Sequence, residues 1–250
     1  MWIRFFRDLS DRLIQFWRER VRARLFPLLS LTWIVGLAIA AFASWVFAEI
    51  AEEVLEKETR ALDMAVLQIF ESIRTPALDR LFAIVTAGGD PLALIIISVA
   101  FIVGFIRRRR WGEAATMAIA ALGALGLNFW LKELFGRARP ELWERVVEVR
   151  HYSFPSGHAM MSMVVYGFIG YWLAARFRPY QGWLLALATL IVVAIGTSRL
   201  YLGVHWPTDV AAGFAAGLVW LVSCILSLEI GKKIATLQKK DEVGRMKDEY

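Results

Sequence analysis

Charged side chains are missing from six long stretches of this chain and crowd the segments between them. The charge-free runs cover residues 25–48, 91–106, 114–131, 159–175, 179–198 and 210–228. A helix needs about 20 apolar residues to cross a bilayer core, so the pattern predicts six transmembrane helices. The run 91–106 is the shortest, but residues 81–89 lengthen it with only Asp90 between. A buried helix of a soluble protein would need an amphipathic partner and polar flanks. Six such runs in 250 residues leave too little polar chain for that.

Two further stretches alternate at helical spacing without being apolar all round. Trp2, Phe6, Leu9, Leu13, Phe16 or Trp17 and Val21 recur with arginines between them, which predicts an interfacial amphipathic helix leading into the first span. A cleaved signal peptide would have an apolar region of only about 7–15 residues, and this one is much longer. Between Ala61 and Leu81, the apolar positions Leu62, Ala65, Val66, Ile69, Phe70 and Ile73 predict an amphipathic helix lying along the outer surface. The expected architecture is all-α and polytopic. A cytoplasmic basic segment occupies 1–24, a six-helix membrane domain 25–230, and a charged cytoplasmic tail 231–250.

Composition agrees with a membrane destination. Hydrophobic residues make up 58% against 21% charged, with a mean hydropathy of +0.51, beyond the 45–50% apolar content typical of soluble domains. A net charge of +6 could by itself mean nucleic acid, anionic membrane or an acidic substrate, and placement decides. Seven arginines fall in the first 24 residues, and Arg107 to Arg110, Arg176 with Arg178, and Lys232 with Lys233 close alternate spans. By the excess of Lys and Arg in cytoplasmic loops, both termini lie in the cytoplasm of a plasma membrane, and nucleic acid is not an expected partner. The outer segment 49–90 is acidic, nine residues against four basic, but 132–158 carries five basic residues on the outer side. That exception marks a site that needs positive charge. Cys224 is the lone cysteine, so neither an intrachain disulfide nor a Cys/His zinc pattern is available, and no metal or cofactor is expected.

Polar residues gather at this outer end. Lys132 and Arg139 are seven residues apart, two turns if helical, while Pro140 disfavours continuing the helix through Arg139. They are either snorkelling anchors or a paired cationic site. Pro155, Ser156, Gly157 and His158 precede the fourth span. Ser156 can cap that helix and Gly157 admits a ligand close to the backbone, so the segment is either an ordinary capped turn or an anion site at a helix N-terminus. Ser198 and Arg199 close the fifth span, and His205 and Asp209 bracket Pro207. Asp209, one turn from His205, either caps the last helix or holds the imidazole of a nucleophilic histidine. His158 and His205 with Lys132, Arg139 and Arg199 describe a phosphate site. Arg137 is a second cation near Lys132, His151 reads as an exposed loop residue, and Asn128 as a partner of a neighbouring helix. Gly213 with Gly217 permits close helix packing. Trp130, Trp143, Tyr152, Tyr201 and Trp206 read as interface aromatics.

The series Lys132, six residues, Arg139-Pro140; Pro155-Ser156-Gly157-His158; Ser198-Arg199, five residues, His205, three residues, Asp209 resembles the three-part signature of the type 2 phosphatidic acid phosphatase superfamily. That resemblance implies a metal-independent membrane lipid phosphatase working through a phosphohistidine. His205 would attack phosphorus, Asp209 orient it and His158 protonate the leaving group. Lys132, Arg139, Arg199, Ser156 and Gly157 would hold the phosphoryl oxygens. The implied substrate is undecaprenyl diphosphate, phosphatidylglycerophosphate or phosphatidate, met at the outer, periplasmic or extracellular face. A phosphotransferase needs the same residues, and a silent binding or transport protein predicts no turnover. A related soluble vanadium haloperoxidase is disfavoured by the six apolar runs.

Overall fold

The structure, a computed structural model, describes residues 31–143 and 151–248. The basic amphipathic helix expected over 1–24 lies outside the described residues. Among the described residues eight α-helices follow in order: α1 (Leu31–Glu56), α2 (Arg60–Ser72), α3 (Pro76–Ala87), α4 (Pro91–Arg107), α5 (Trp111–Phe135), α6 (Gly157–Arg176), α7 (Gln181–Tyr201) and α8 (Pro207–Asp248). A single 3-10 turn, Arg178–Tyr180, joins α6 to α7, and no strand occurs among the described residues. The chain divides into two compact units, residues 1–39 and 40–250; the described part of the first is the opening of α1.

Among the described residues, five helices are long and apolar enough to cross a membrane, with spans Trp33–Glu56, Trp111–Phe135, Gly157–Arg176, Arg178–Tyr201 and Pro207–Gln238. The pair α3 and α4 meets the same condition only together, bent by 42°. The bend falls at the interruption noted in the sequence. Asp90 caps α4 by accepting a hydrogen bond from the Leu92 amide at 2.8 Å, with Pro91 at the first helical position. Large apolar side chains lie outward on these helices, Trp183 at 81% exposure and Ile84 at 73% among them, as lipid-facing surfaces require.

The inner packing centres on α6, which lies against α5, α7 and α8. Leu94, Phe105, Met117, Ala124, Val164, Phe168 and Leu221 fill the space between α4, α5, α6 and α8. Close approach of α6 and α8 depends on the paired glycines. A Cβ at Gly213 would lie 2.7 Å from the Ser156 carbonyl oxygen, and one at Gly217 2.7 Å from that of Met160. At the end of the bundle away from α6's start, Glu113 pairs with Arg110 at 2.6 Å and Lys232 at 3.5 Å, while Tyr171 donates to Glu229 at 2.7 Å. Helix α8 runs on through the charged tail to Asp248.

Two expectations are corrected. The stretch 61–81 is not one helix but two, because Thr75 caps α3 by accepting from the Leu78 amide at 3.2 Å and Pro76 starts it. Much of its apolar stripe also faces away from the protein. Leu62, Ile69 and Ile73 are exposed, whereas Asp63 and Leu67 are buried and Phe70 is half-buried against the Tyr201 cluster. Among the aromatics, Tyr201 and Trp206 are not at an interface. Tyr201 is fully buried, stacked 4.2 Å from Phe82 with its hydroxyl 3.0 Å from Asp79, and buried Trp206 donates from Nε1 to the Ala138 carbonyl at 2.9 Å.

Candidate active site

Three chain segments converge where α5 ends and α6 and α8 begin. Helix α5 stops at Gly136, whose left-handed φ of 58° suits a residue without Cβ and lets its amide bond to the Lys132 carbonyl at 3.0 Å. Arg139 therefore does not continue the helix of Lys132, as an unbroken two-turn spacing would require. Both nevertheless reach one place, since Lys132 Nζ and Arg139 Nη2 each donate to the Tyr152 carbonyl. Ser156 caps α6 and is fully buried, with its hydroxyl turned to the Ala159 amide at 3.5 Å. Its own amide donates to the Asp209 carbonyl at 2.9 Å, joining the start of α6 to the start of α8. The Gly213 contact lies one turn further along the same seam.

A cavity of about 310 Å³ opens here, lined by Lys132, Arg139, Gly157, His158, Arg199 and His205 and walled on its apolar side by Pro91, Leu125, Phe129 and Met161. Of the eight residues singled out in the sequence, six line it. Ser156 and Asp209 stand behind, and Ser198 is buried with its hydroxyl bonded to the Ile195 carbonyl at 2.6 Å. Gly157 has no room for a side chain, because a Cβ would come within 2.8 Å of Asn128 Oδ1. Asn128 bonds to the Pro155 carbonyl at 3.2 Å, the interhelical partner expected of it, and also borders the cavity. His151 is exposed and contributes to the lining as well.

The histidine geometry is specific. Arg139 Nη1 lies 3.1 Å from His205 Nε2, and Asp209 Oδ2 lies 3.3 Å from His205 Nδ1. A guanidinium only donates and a carboxylate only accepts, so Nδ1 carries the proton and Nε2 presents its lone pair. The ring is 1% exposed. Burial first, then the charges of Arg139, Arg199 and Lys132, hold His205 well below the ordinary histidine value. Both effects favour the neutral imidazole, protonated on Nδ1 alone. Arg199, also buried, is steadied by Nη1 donating to Thr86 Oγ1 at 2.7 Å, while its Nε has no hydrogen-bond partner among the described residues. A buried donor without a partner beside a cationic cavity fits an anion.

Sequence reasoning did not single out Asp63, Thr86 or Thr208, and left Arg137 undecided. Arg137 does not line this cavity. It pairs instead with Asp63 and Asp209, each at 2.6 Å. Asp63 lies 145 residues from its partner Thr208, a separation no local pattern registers. The only hint available was an acidic residue inside a stretch otherwise read as a surface helix. Among the described residues no group of three or more His, Cys, Asp or Glu side chains is placed to hold a metal ion.

The sequence profile described as the PAP2 superfamily matches residues 111–230. Phosphatidylglycerophosphatase B of Bacillus subtilis (strain 168) is 32% identical over 177 residues, covering 69% of this chain and 86% of that protein. A putative undecaprenyl-diphosphatase of Escherichia coli (strain K12) is 31% identical over 135 residues, covering 50% of this chain and 65% of the relative. The crystal structure of a transmembrane PAP2-type phosphatidylglycerolphosphate phosphatase from Bacillus subtilis superposes with a TM-score of 0.70 at 30% identity. The match covers 74% of this chain and 93% of that one.

Proposed function

The chain belongs to the PAP2 superfamily of membrane phosphatases, and from that premise we propose that it hydrolyses a lipid phosphate or diphosphate at the outer membrane face through a phosphohistidine on His205. The observation that carries this is the Arg139–His205–Asp209 arrangement, which fixes the tautomer and turns Nε2 toward the cation-lined cavity.

As the phosphoryl group enters, Arg139 Nη1 passes from Nε2 to a phosphoryl oxygen, and the freed Nε2 lone pair attacks phosphorus in line with the bond to the leaving oxygen. A new N–P bond forms, the P–O bond to the lipid breaks, and the electron pair leaves on the lipid oxygen. His158, on the same cavity wall, acts in its protonated form, gives that oxygen a proton and is left neutral. The phosphorylated ring gains positive charge, which the Asp209 carboxylate behind Nδ1 offsets. Water then attacks the phosphohistidine with His158 taking its proton, and inorganic phosphate and neutral His205 are regenerated. Lys132, Arg139, Arg199 and the Gly157 amide at the head of α6 bind the phosphoryl oxygens and stabilise the charge that grows on them. Ser156 serves by capping α6 and tying it to Asp209. The cavity holds a phosphate headgroup, while the lipid chains stay along the apolar wall of Pro91, Leu125 and Phe129.

The substrates named for the relatives, phosphatidylglycerophosphate and undecaprenyl diphosphate, support those two lipids as the first to test, with phosphatidate beside them. Arginines at the α4–α5 and α6–α7 turns support a plasma-membrane topology with the termini in the cytoplasm and the cavity outside. The test is phosphate release by the purified protein in excess EDTA from the three lipids in parallel, with His205→Ala as control. Release that survives chelation and vanishes in the variant is expected. Turnover only when a second lipid or sugar acceptor is supplied would assign a phosphotransferase instead.

A further inference from the structure

Behind the nucleophile, Asp209 joins a buried chain of charges whose other members, Arg137 and Asp63, none of the steps above uses. Asp209 divides its two oxygens: Oδ2 takes the Trp206 amide at 2.9 Å and faces His205 Nδ1, while Oδ1 takes Arg137 Nη1 at 2.6 Å. Arg137 reaches the other way through Nη2 to Asp63 Oδ2 at 2.6 Å and to Thr59 Oγ1 at 3.4 Å, and lies over the Trp206 ring at 5.6 Å from its centre. Thr208 closes the loop. Its amide donates to Asp63 Oδ1 at 3.0 Å, and its hydroxyl accepts from Arg137 Nη1 at 2.8 Å and donates to Asp63 Oδ2 at 2.8 Å. Asp63 and Asp209 are both fully buried.

We propose that Asp63 and Arg137 are positioning residues for the reaction, holding Asp209 in the orientation and charge state that His205 requires; this rests on His205 acting as the nucleophile. Orientation follows from the division of oxygens. A carboxylate held only by His205 could turn about its Cβ–Cγ bond, but one clamped on both oxygens cannot. Charge follows from counting. Asp63, Arg137 and Asp209 together carry one net negative charge, the amount needed to offset the single positive charge the ring acquires on phosphorylation. Without Asp63, the guanidinium would be left to neutralise Asp209 alone. The outer helix α2 thus contributes to the reaction without reaching the substrate cavity.

A network that only stabilised the fold would lower the folded fraction and leave turnover of the folded molecules unchanged. A positioning network lowers kcat and leaves phosphate binding intact. The experiment compares wild type, Asp63→Asn, Arg137→Ala and His205→Ala in detergent, with thermal unfolding as the measure of folded fraction and inorganic phosphate as a competitive probe of the cavity. In folded Asp63→Asn, kcat is expected to fall about 10- to 100-fold, the span set by losing one hydrogen bond to a charged group. KM and inhibition by phosphate should stay within about twofold, as an intact cavity requires. Arg137 also borders a second opening of about 330 Å³, lined by Lys57, Thr59 and Arg60 among others, through which free guanidinium can enter. Arg137→Ala should regain part of its kcat with added guanidinium, and His205→Ala should not.

A kcat for folded Asp63→Asn within about twofold of wild type would overturn the proposal. Should Asp63→Asn not fold, Arg137→Ala decides alone: recovery with guanidinium supports the positioning role, and its absence in folded protein overturns it. Activity in His205→Ala would instead overturn the nucleophile assignment on which the proposal rests.

Discussion

At the scale of single residues, the proposed chemistry rests on one nitrogen, Nε2 of His205. His205→Ala should abolish turnover, and Asp209→Asn should lower kcat by about 10²- to 10⁴-fold, the usual worth of a positioned acid or base, because an amide can hold the imidazole in the wrong tautomer. His158→Ala should hurt most when the leaving group is an alkoxide and least when it is a lipid phosphate, which needs no proton to depart. Equal losses on both substrates, measured as kcat ratios, would count against its acid role. Titration of His205 gives a further expectation. Its folded pKa lies below the ordinary histidine value of about 6.5, so the nucleophile stays neutral through pH 6.5, and the acid-side loss of kcat/KM should fall lower than that. The same shift costs stability in acid. As pH drops through 6.5 the unfolded chain binds a proton that the native ring refuses, so the melting temperature should fall over that interval. Lys132, Arg139, His158 and His205 were legible in the sequence because their spacing recurs in a recognisable signature. Asp63 and Thr86 were not, since each acts through a partner more than a hundred residues away.

Elements place these residues by close contact. Gly213 sits where any side chain would press on the Ser156 carbonyl, so Gly213→Leu should cost about 1–3 kcal/mol by overpacking. It should lower kcat as well, because the same seam carries the Ser156 bond to Asp209. Thermal unfolding and turnover of one preparation check both. Thr86→Val keeps the shape of the Arg199 contact but removes its acceptor, and KM is expected to rise more than kcat falls. The glycine pair was readable from its four-residue spacing. The buried face of α2 was not, because an amphipathic stripe does not say whether its apolar side meets protein or lipid. Here much of it meets the outside, and Asp63 faces in. The end of α5 was legible in part: Pro140 already disfavoured a helix through Arg139, which does reach the cavity from a non-helical segment, whereas the left-handed stop at Gly136 left no mark in the pattern.

For the whole molecule, five of the six apolar runs coincide with a helix long and apolar enough to cross a membrane, while the run 91–106 meets that condition only together with α3. The bend between α3 and α4 was visible only as Asp90, whose capping role needs the neighbouring amide to be seen. Topology can be tested with the single cysteine removed as Cys224→Ser and new cysteines placed at exposed positions. In intact cells a membrane-impermeant maleimide should label Glu141→Cys, in the segment between α5 and α6, and spare Tyr180→Cys, at the α6–α7 turn. The reverse pattern would turn the cavity to the cytoplasm. The most direct test of the mechanism is to trap the intermediate. Purified protein is mixed with lipid carrying a labelled terminal phosphate, quenched within the first turnover in alkaline detergent, and mapped by peptide. A nucleophilic His205 predicts an alkali-stable, acid-labile label on the peptide containing His205, absent in His205→Ala. Full turnover with no label on that histidine at any quench time would contradict the phosphohistidine mechanism.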